Sequence, residues 1–439
     1  MFRLLSPNLA RRFAAPWLSL ATTALALALL ASSGRAAPGL PAGPALAVSA
    51  EDGYFLAPAA AVDASGQLIV VWYGDTRAQP GTEIYARRFS PGGAPLGPAF
   101  RVNADANGSQ RRPSVGADAD GGFVVAWDTN TQSVWARRFG PDGAPLSGGD
   151  IAVSQSAASH RDPALAVAPD GSFAVAWEVA DPSSADGDIL LRRFDATGAP
   201  VGPERVPYDT AADSALQMNP ALAPLPGGAL ALVWEQTSLT SLVADSTLWL
   251  QRLDAAGSLA GAAQPVASSN AEELRDPALA AGADGRTLIA WSTFTAAGGA
   301  IYARRYGPDG QPLADGFRVS QPETAARFTP SIAVAADGSA VIAWVDSTPR
   351  AGVPVGVLAR RLDAAGAPEG DELAPRTAAS GASMADAVAV AIGPDVTSPL
   401  WLAWSQPPPP ADANTNLSAI YARRYVERFF QLALPLVRR

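Results

Sequence analysis

The chain contains no cysteine, and all 32 of its basic residues are arginine, because lysine is also absent. Without cysteine there is no disulfide, no thiolate nucleophile and no thiolate-bound metal. Without lysine there is no Schiff base and no lysine of a phosphate-gripping loop. Histidine occurs once, at His160, which excludes a zinc site built on several histidines and leaves one residue for any Ser-His-Asp triad. No Gly-x-Ser-x-Gly elbow precedes a helix to serve such a triad, so His160 is expected in a loop. Charge is sparse at 17%, yet 48% of the 439 residues are hydrophobic, enough for a large core. Forty glycines and 39 prolines point to many short strands joined by tight turns.

The first 36 residues read as an export signal, with Arg3, Arg11 and Arg12 ahead of the apolar run "WLSLATTALALALLA" and the small residues "SSGRAA". The run is short for a membrane span, although an uncleaved anchor is the alternative. No cysteine follows to carry a lipid. Removing this segment takes four arginines and no acids, leaving 28 − 41 = −13. Such a surface repels nucleic acid and anionic membranes, and neither nucleic-acid binding nor stable membrane insertion is expected.

Seven tryptophans close short apolar runs at intervals of 50 to 60 residues: Trp72, Trp127, Trp177, Trp234, Trp291, Trp344 and Trp404. Fourteen residues before each of the first six stands a proline (Pro58, Pro113, Pro163, Pro220, Pro277, Pro330), and six residues before each stands a glycine such as Gly121. A strand carrying paired arginines follows in six of the seven repeats, as in "EIYARRF", "SVWARRF" and "AIYARRY", and in the fourth Gln251 stands in the first place of the pair. It ends in a turn with glycine four residues on, as at Gly93, Gly143 and Gly310. A short run such as "FRVN" completes the unit. The second strand is apolar on both faces: in "GGFVVAW", Phe123, Val125 and Trp127 face one way and Val124 and Ala126 the other. That pattern fits a sheet sandwiched between two neighbours. Four antiparallel strands per unit, repeated seven times about an axis, predict an all-β, seven-bladed β-propeller over residues 37–425 with a short apolar tail, 426–439.

Repeat seven lacks the glycine turn and fourth strand, while residues 45–58 begin with a strand resembling one. The N-terminal segment is therefore expected to complete the last blade; closure by the C-terminal tail is the alternative. The phrases "DGSFAVAW", "IYARRF" and "FRVN" resemble a repeat of bacterial secreted propeller proteins. That resemblance implies the fold and export to the outside or surface of the cell, and it transfers no catalytic residue. A sialidase-type Asp-box does not fit, because its glycine lies three residues before the tryptophan rather than six.

Adjacent strand residues point to opposite faces, so each arginine pair should send one guanidinium to each neighbouring blade. An anion-binding ring is the functional alternative to that structural reading. Turn aspartates such as Asp120, Asp170, Asp284 and Asp337 invite calcium, but the dense spacing of a calcium loop is absent. No cofactor or metal is implied.

The loops between second and third strands vary in length, and loops that vary on a rigid scaffold are where binding resides. Polar residues gather there: Tyr73, Asp128, Glu178 and Glu235 just after the tryptophans, and Arg111-Arg112, Arg161-Asp162, Arg275-Asp276 and Asp386 near the inner-strand prolines. Tyr73, Asp128, Glu178, Glu235, Arg111, Arg161 and Arg275 are the candidate ligand-binding residues. The plainer reading is that they cap backbones and pair with one another. The function expected from this pattern is an exported, monomeric, non-enzymatic scaffold binding a glycan or an extracellular protein through its variable-loop face. A carbohydrate-active hydrolase or lyase using carboxylates at the channel mouth is the alternative. A structural envelope protein is the third reading.

Overall fold

A computed structural model describes residues 40–426 apart from 43, 50–52, 77–78, 106–107, 147, 156–157, 181–186, 209–214, 239–244, 296–297, 322–325, 348–355, 375–386, 394–398 and 407–417. The expected export signal, most of the expected tail and Asp386 lie outside the described residues. The fold is all-β: seven antiparallel blades in a ring, with one 3-10 turn, Pro226–Gly228, as the helical element among the described residues. Blade 2 shows the unit: Gln110–Ala117, Phe123–Thr129, Val134–Phe139 and Ile151–Ala152 pair in sequence order. The fourth strand of blade 3 is reduced to a single bridge, Leu191 to Arg205. Blades 3 and 4 are joined by one parallel pairing, Gly187 with Leu216.

The first strand of each blade lies against that of the next, all round the molecule and from blade 7 back to blade 1. Those strands therefore line the centre. The ring closes through the N-terminal segment, where Leu46 and Ala47 pair with Ala422 and Tyr421, and Leu40 and Pro41 with Val426 and Tyr425.

Seven hydrophobic clusters fill the seven interfaces between consecutive blades. The second strand of blade 2 shows why it is apolar on both sides. Phe123, Val125 and Trp127 pack with Ile69, Val71 and Ile84 of blade 1, while Val124 and Ala126 pack with Leu165, Val175 and Trp177 of blade 3. Each repeat tryptophan is buried, and four of them stack on the aromatic residue opposite in the third strand, as Trp72 does on Tyr85 at 6.1 Å. Burying one such side chain is worth about 5 kcal/mol of transfer free energy.

The arginine pairs are inter-blade ties. The first arginine of a pair reaches back: Arg87, Arg137, Arg192, Arg304 and Arg360 donate to the carbonyls of Val48, Val102, Val153, Val266 and Val319 in the preceding blade's outer strand, at 2.7 to 3.0 Å. Four of these five also lie over the ring two residues on, as Arg137 does over Phe139. The second arginine reaches forward to the next blade's turns: Arg88 to Pro141 O, Arg193 to Ala255 O, Arg305 to Ala364 O, and Arg424 of blade 7 to Pro91 O of blade 1. Guanidinium donors thus satisfy carbonyls that a short outer strand leaves unpaired.

The turn glycines follow from the same contacts. Gly310 has φ +80°, and a Cβ there would lie 2.6 Å from Cδ of Arg252 in the preceding blade. The turn therefore needs glycine both for its backbone and for the arginine that crosses it.

The turn aspartates have a local task. Asp170, Asp284 and Asp337 each accept the backbone N–H two residues on.

His160 is not a loop residue. It sits in the inner strand Ser159–Val167, 1% exposed, where its Nδ1 accepts the indole N–H of Trp177 at 2.8 Å. In blade 2, Gln110 occupies the same place and accepts from Trp127 at 2.9 Å.

Candidate functional site

In blades 1 to 6 the inner strand bulges at its proline, and the register slips by one residue there. Proline has no N–H to give the ladder, and a bulge absorbs the mismatch. The residue before each proline takes a left-handed backbone: Ala57, Arg112, Asp162, Asn219, Asp276 and Thr329 have φ between +44° and +52°. For non-glycine residues this costs on the order of 1 kcal/mol each. The bulges lie at the end of the blade where second strands finish, beside the residue that follows each tryptophan.

The bulged N–H groups of blades 3, 4 and 6 find carboxylates in the preceding blade. Asp162 N–H donates to Asp128 Oδ2 at 3.1 Å, and Asn219 N–H to Glu178 Oε1 at 2.7 Å. In blade 5 the residue after tryptophan is Ser292, and Asp276 supplies the carboxylate instead, accepting Thr329 N–H at 3.3 Å and the Ser292 hydroxyl at 3.1 Å.

Side chains extend this into a row of alternating charge across blades 2 to 4. Arg111 Nε lies 3.4 Å from Asp128 Oδ1, and Arg112 Nη1 donates to Asp128 Oδ2 at 3.0 Å. Arg112 Nε also meets Asp162 Oδ1 at 2.9 Å. Arg161 Nε stands 3.8 Å from Asp162 Oδ2 and 2.7 Å from Glu178 Oε2. The row ends at Asn219, whose Nδ2–H donates to Glu235 Oε2 at 2.9 Å.

The two sides of each pair differ in exposure. Side chains of Arg111, Arg112 and Arg161 are 38 to 49% exposed, while those of Asp128 and Glu178 are nearly covered. Burial pushes Glu235 up from 4.5 to about 7; the Asn219 hydrogen bond opposes this, and the nearby acids Asp276 and Glu178 add to it. Burial and the neighbouring Glu178 likewise raise Asp162 to about 6 against the pull of Arg112 and Arg161. Burial, and next to it Tyr54, raise the Tyr73 phenol. One end of the row thus holds carboxyls in ion pairs with arginine, and the other holds a carboxyl with an amide partner, pushed up to about 7 by burial.

Six of the seven candidate residues sit around this row: Tyr73 on the blade 1 side, then Arg111, Asp128, Arg161, Glu178 and Glu235. Arg275 does not join it through an ion pair; it bonds Glu273 at 2.6 Å and lies over Phe294. Sequence reasoning missed Asn219, and it gave no separate part to Arg112, Asp162 and Asp276. All four stand immediately before an inner-strand proline, so counting back one residue from each would have marked them.

These features define the class: a seven-bladed β-propeller with a row of carboxyls and guanidiniums where its inner and second strands meet. No family model matches the chain, and no curated protein matches it. Solved structures do match the fold. An ulvan lyase from a new polysaccharide lyase family, bound to -[GlcA(1-4)Rha3S]-, superposes with a TM-score of 0.56 at 10% identity, over 88% of this chain and 96% of that one. Polysaccharide lyase Uly1 gives 0.53 at 9% identity, over 85% and 90%. A protein of unknown function from Dyadobacter fermentans DSM 18053 gives 0.52 at 11% identity, over 89% and 99%. At such identities the likeness establishes the fold. The two lyases named here cleave polysaccharides, which goes against the expectation of a non-enzymatic scaffold and favours the carbohydrate-active alternative taken up below.

Proposed function

We propose that the protein is an exported carbohydrate-active enzyme that cleaves a glycosidic bond at the carboxyl row. The observation carrying this is the contrast between two carboxyls joined by Asn219. Glu178 is paired with Arg161 and accepts the Asn219 N–H, whereas Glu235 has a neutral amide partner and is pushed up to about 7 by burial. Bond cleavage between sugars requires a proton for the leaving oxygen, and a buried carboxyl protonated near neutral pH supplies it. Glu178 is the second carboxyl, the one that activates water or supports the developing positive charge.

A second reading, cleavage by elimination, has its own observation. Arg111, Arg112 and Arg161 offer half-exposed guanidiniums beside the same row, a setting that would neutralise a uronate carboxylate and make its neighbouring C–H acidic. The likeness to an ulvan lyase bound to a glucuronate-containing unit supports uronate polysaccharides as the substrate class.

The mature chain should therefore be assayed on neutral and uronate polysaccharides for new reducing ends and for the ultraviolet absorbance of an unsaturated uronate. Glu235→Gln should lower turnover by about a hundredfold or more. Reducing ends without absorbance mean hydrolysis, and both together mean elimination. Unchanged turnover in Glu235→Gln would remove Glu235 from the chemistry.

A further inference from the structure

Asn219 and Arg112 occupy equivalent places in blades 4 and 2. Each precedes the inner-strand proline, each has a left-handed backbone (φ +51° and +50°), and each bonds the carboxyl that follows its own blade's tryptophan. Arg112 offers a guanidinium to Asp128, which Arg111 also approaches, whereas Asn219 offers Glu235 an amide. We propose that Asn219 is a positioning residue: it holds Glu235 through a neutral donor where blade 2 uses arginine, and so keeps the last carboxyl of the row out of an ion pair. The proposal rests on the reading of Glu235 as proton donor for its catalytic consequence, while its electrostatic content stands independently.

The backbone and the side chain of Asn219 do separate work. Its N–H fixes Glu178 from blade 3, and its amide fixes Glu235 within blade 4, so one residue sets the placement of both carboxyls. The other charged groups that act on Glu235 come from the flanking blades: Glu178 on one side, Arg275 and Asp276 on the other. Arg275 is engaged by Glu273 at 2.6 Å, and Asp276 by Ser292 and Thr329. No ion pair to Glu235 occurs among the described residues. Blade 2 carries an arginine at this place in the same backbone conformation.

Two substitutions separate the tasks. Asn219→Arg copies blade 2 and places a cation against Glu235. Asn219→Gly keeps the left-handed backbone and its N–H to Glu178 but removes the amide. The first readout needs no substrate: denaturant stability is measured from pH 4 to 9 for each background with Glu235 and with Glu235→Gln. In the native background the Glu235 form should lose stability relative to its Gln counterpart as pH rises through about 7, because its folded-state pKa is raised. Asn219→Arg should abolish that loss or move its end down by at least about one unit, and Asn219→Gly should move it up.

In turnover, Asn219→Arg should reduce kcat at neutral pH about tenfold or more, with KM little changed and activity recovering toward acid pH. A titration of Glu235 that neither variant moves overturns the proposal. If Asn219→Arg does not fold, the upward shift in Asn219→Gly decides. If the native chain cleaves no glycan, the proposed function fails while the stability titration still judges the role of Asn219.

Discussion

Gly310 and Arg252 show how single positions acquire their identity from a neighbouring blade. The glycine's positive φ alone would disfavour alanine, and the crossing guanidinium leaves no room for a methyl group. Gly202 also has positive φ, +89°, but open space around its Cα. Gly202→Ala should cost about 1 kcal/mol and Gly310→Ala distinctly more, by denaturant midpoint. In an Arg252→Ala background the excess at Gly310 should vanish.

His160 makes the same point about buried polar groups. Since Gln110 performs its task in blade 2, His160→Gln should cost under about 1 kcal/mol, whereas His160→Leu leaves the Trp177 N–H without its partner and should cost about 1–3 kcal/mol. The sequence placed His160 in a loop for a physical reason. The alternation of inner-strand residues breaks at the bulge before Pro163, so the strand's first residues do not continue the pattern that follows it. Asn219 was overlooked through the same break, because asparagine before proline reads as a turn.

At the scale of elements, the third strand carries most of what was legible in advance. Its paired arginines predicted one contact to each flanking blade from strand geometry alone, and that is how they lie. The partners expected from sequence were aromatic rings and acids; the rings are there, but the hydrogen-bond partners are chiefly main-chain carbonyls. Carbonyls are invisible to a reading of side chains.

The closing strand is tied in from both directions. Leu46 and Ala47 pair with blade 7, and Arg87 of blade 1 donates to Val48 O at 3.0 Å. Val48 itself is fully buried in the interface between blades 7 and 1. Deleting residues 37–52 should therefore lower the unfolding midpoint and broaden the transition. An unchanged midpoint and slope would show that the ring does not depend on this strand. A milder lesion, Arg87→Ala, should destabilise without loss of cooperativity.

For the whole molecule, repetition made the fold readable and the function hard to read. Seven near-identical units announce themselves through tryptophan, glycine and arginine spacing, all of which serve the interfaces. Function resides where the units differ, in which carboxyl meets a guanidinium and which meets an amide. Asp128 and Glu235 hold equivalent places after their tryptophans, and no pattern in either segment shows that one is paired twice and the other is not. That difference arises from Arg111 and Arg112 in one blade and Asn219 in another, brought together by the bulges. The same obscurity explains why a binding scaffold was the expectation and why the enzyme reading needed the folded arrangement and its structural neighbours.

The row also shapes the pH response of the entire chain. With Glu235 and Asp162 both raised, the folded state binds protons that the unfolded chain releases. Their contribution to stability is fully present below about pH 4 and is lost as pH rises through about 6 and then 7. The Glu235 share is on the order of 3 kcal/mol.

The most direct measurement is the pH dependence of polysaccharide cleavage by the mature chain and by Glu235→Gln. The account predicts turnover in the native protein with an alkaline limb near pH 7, and its loss in the variant at every pH. Equal turnover in both proteins would contradict it, as would the absence of cleavage across neutral and uronate polysaccharides.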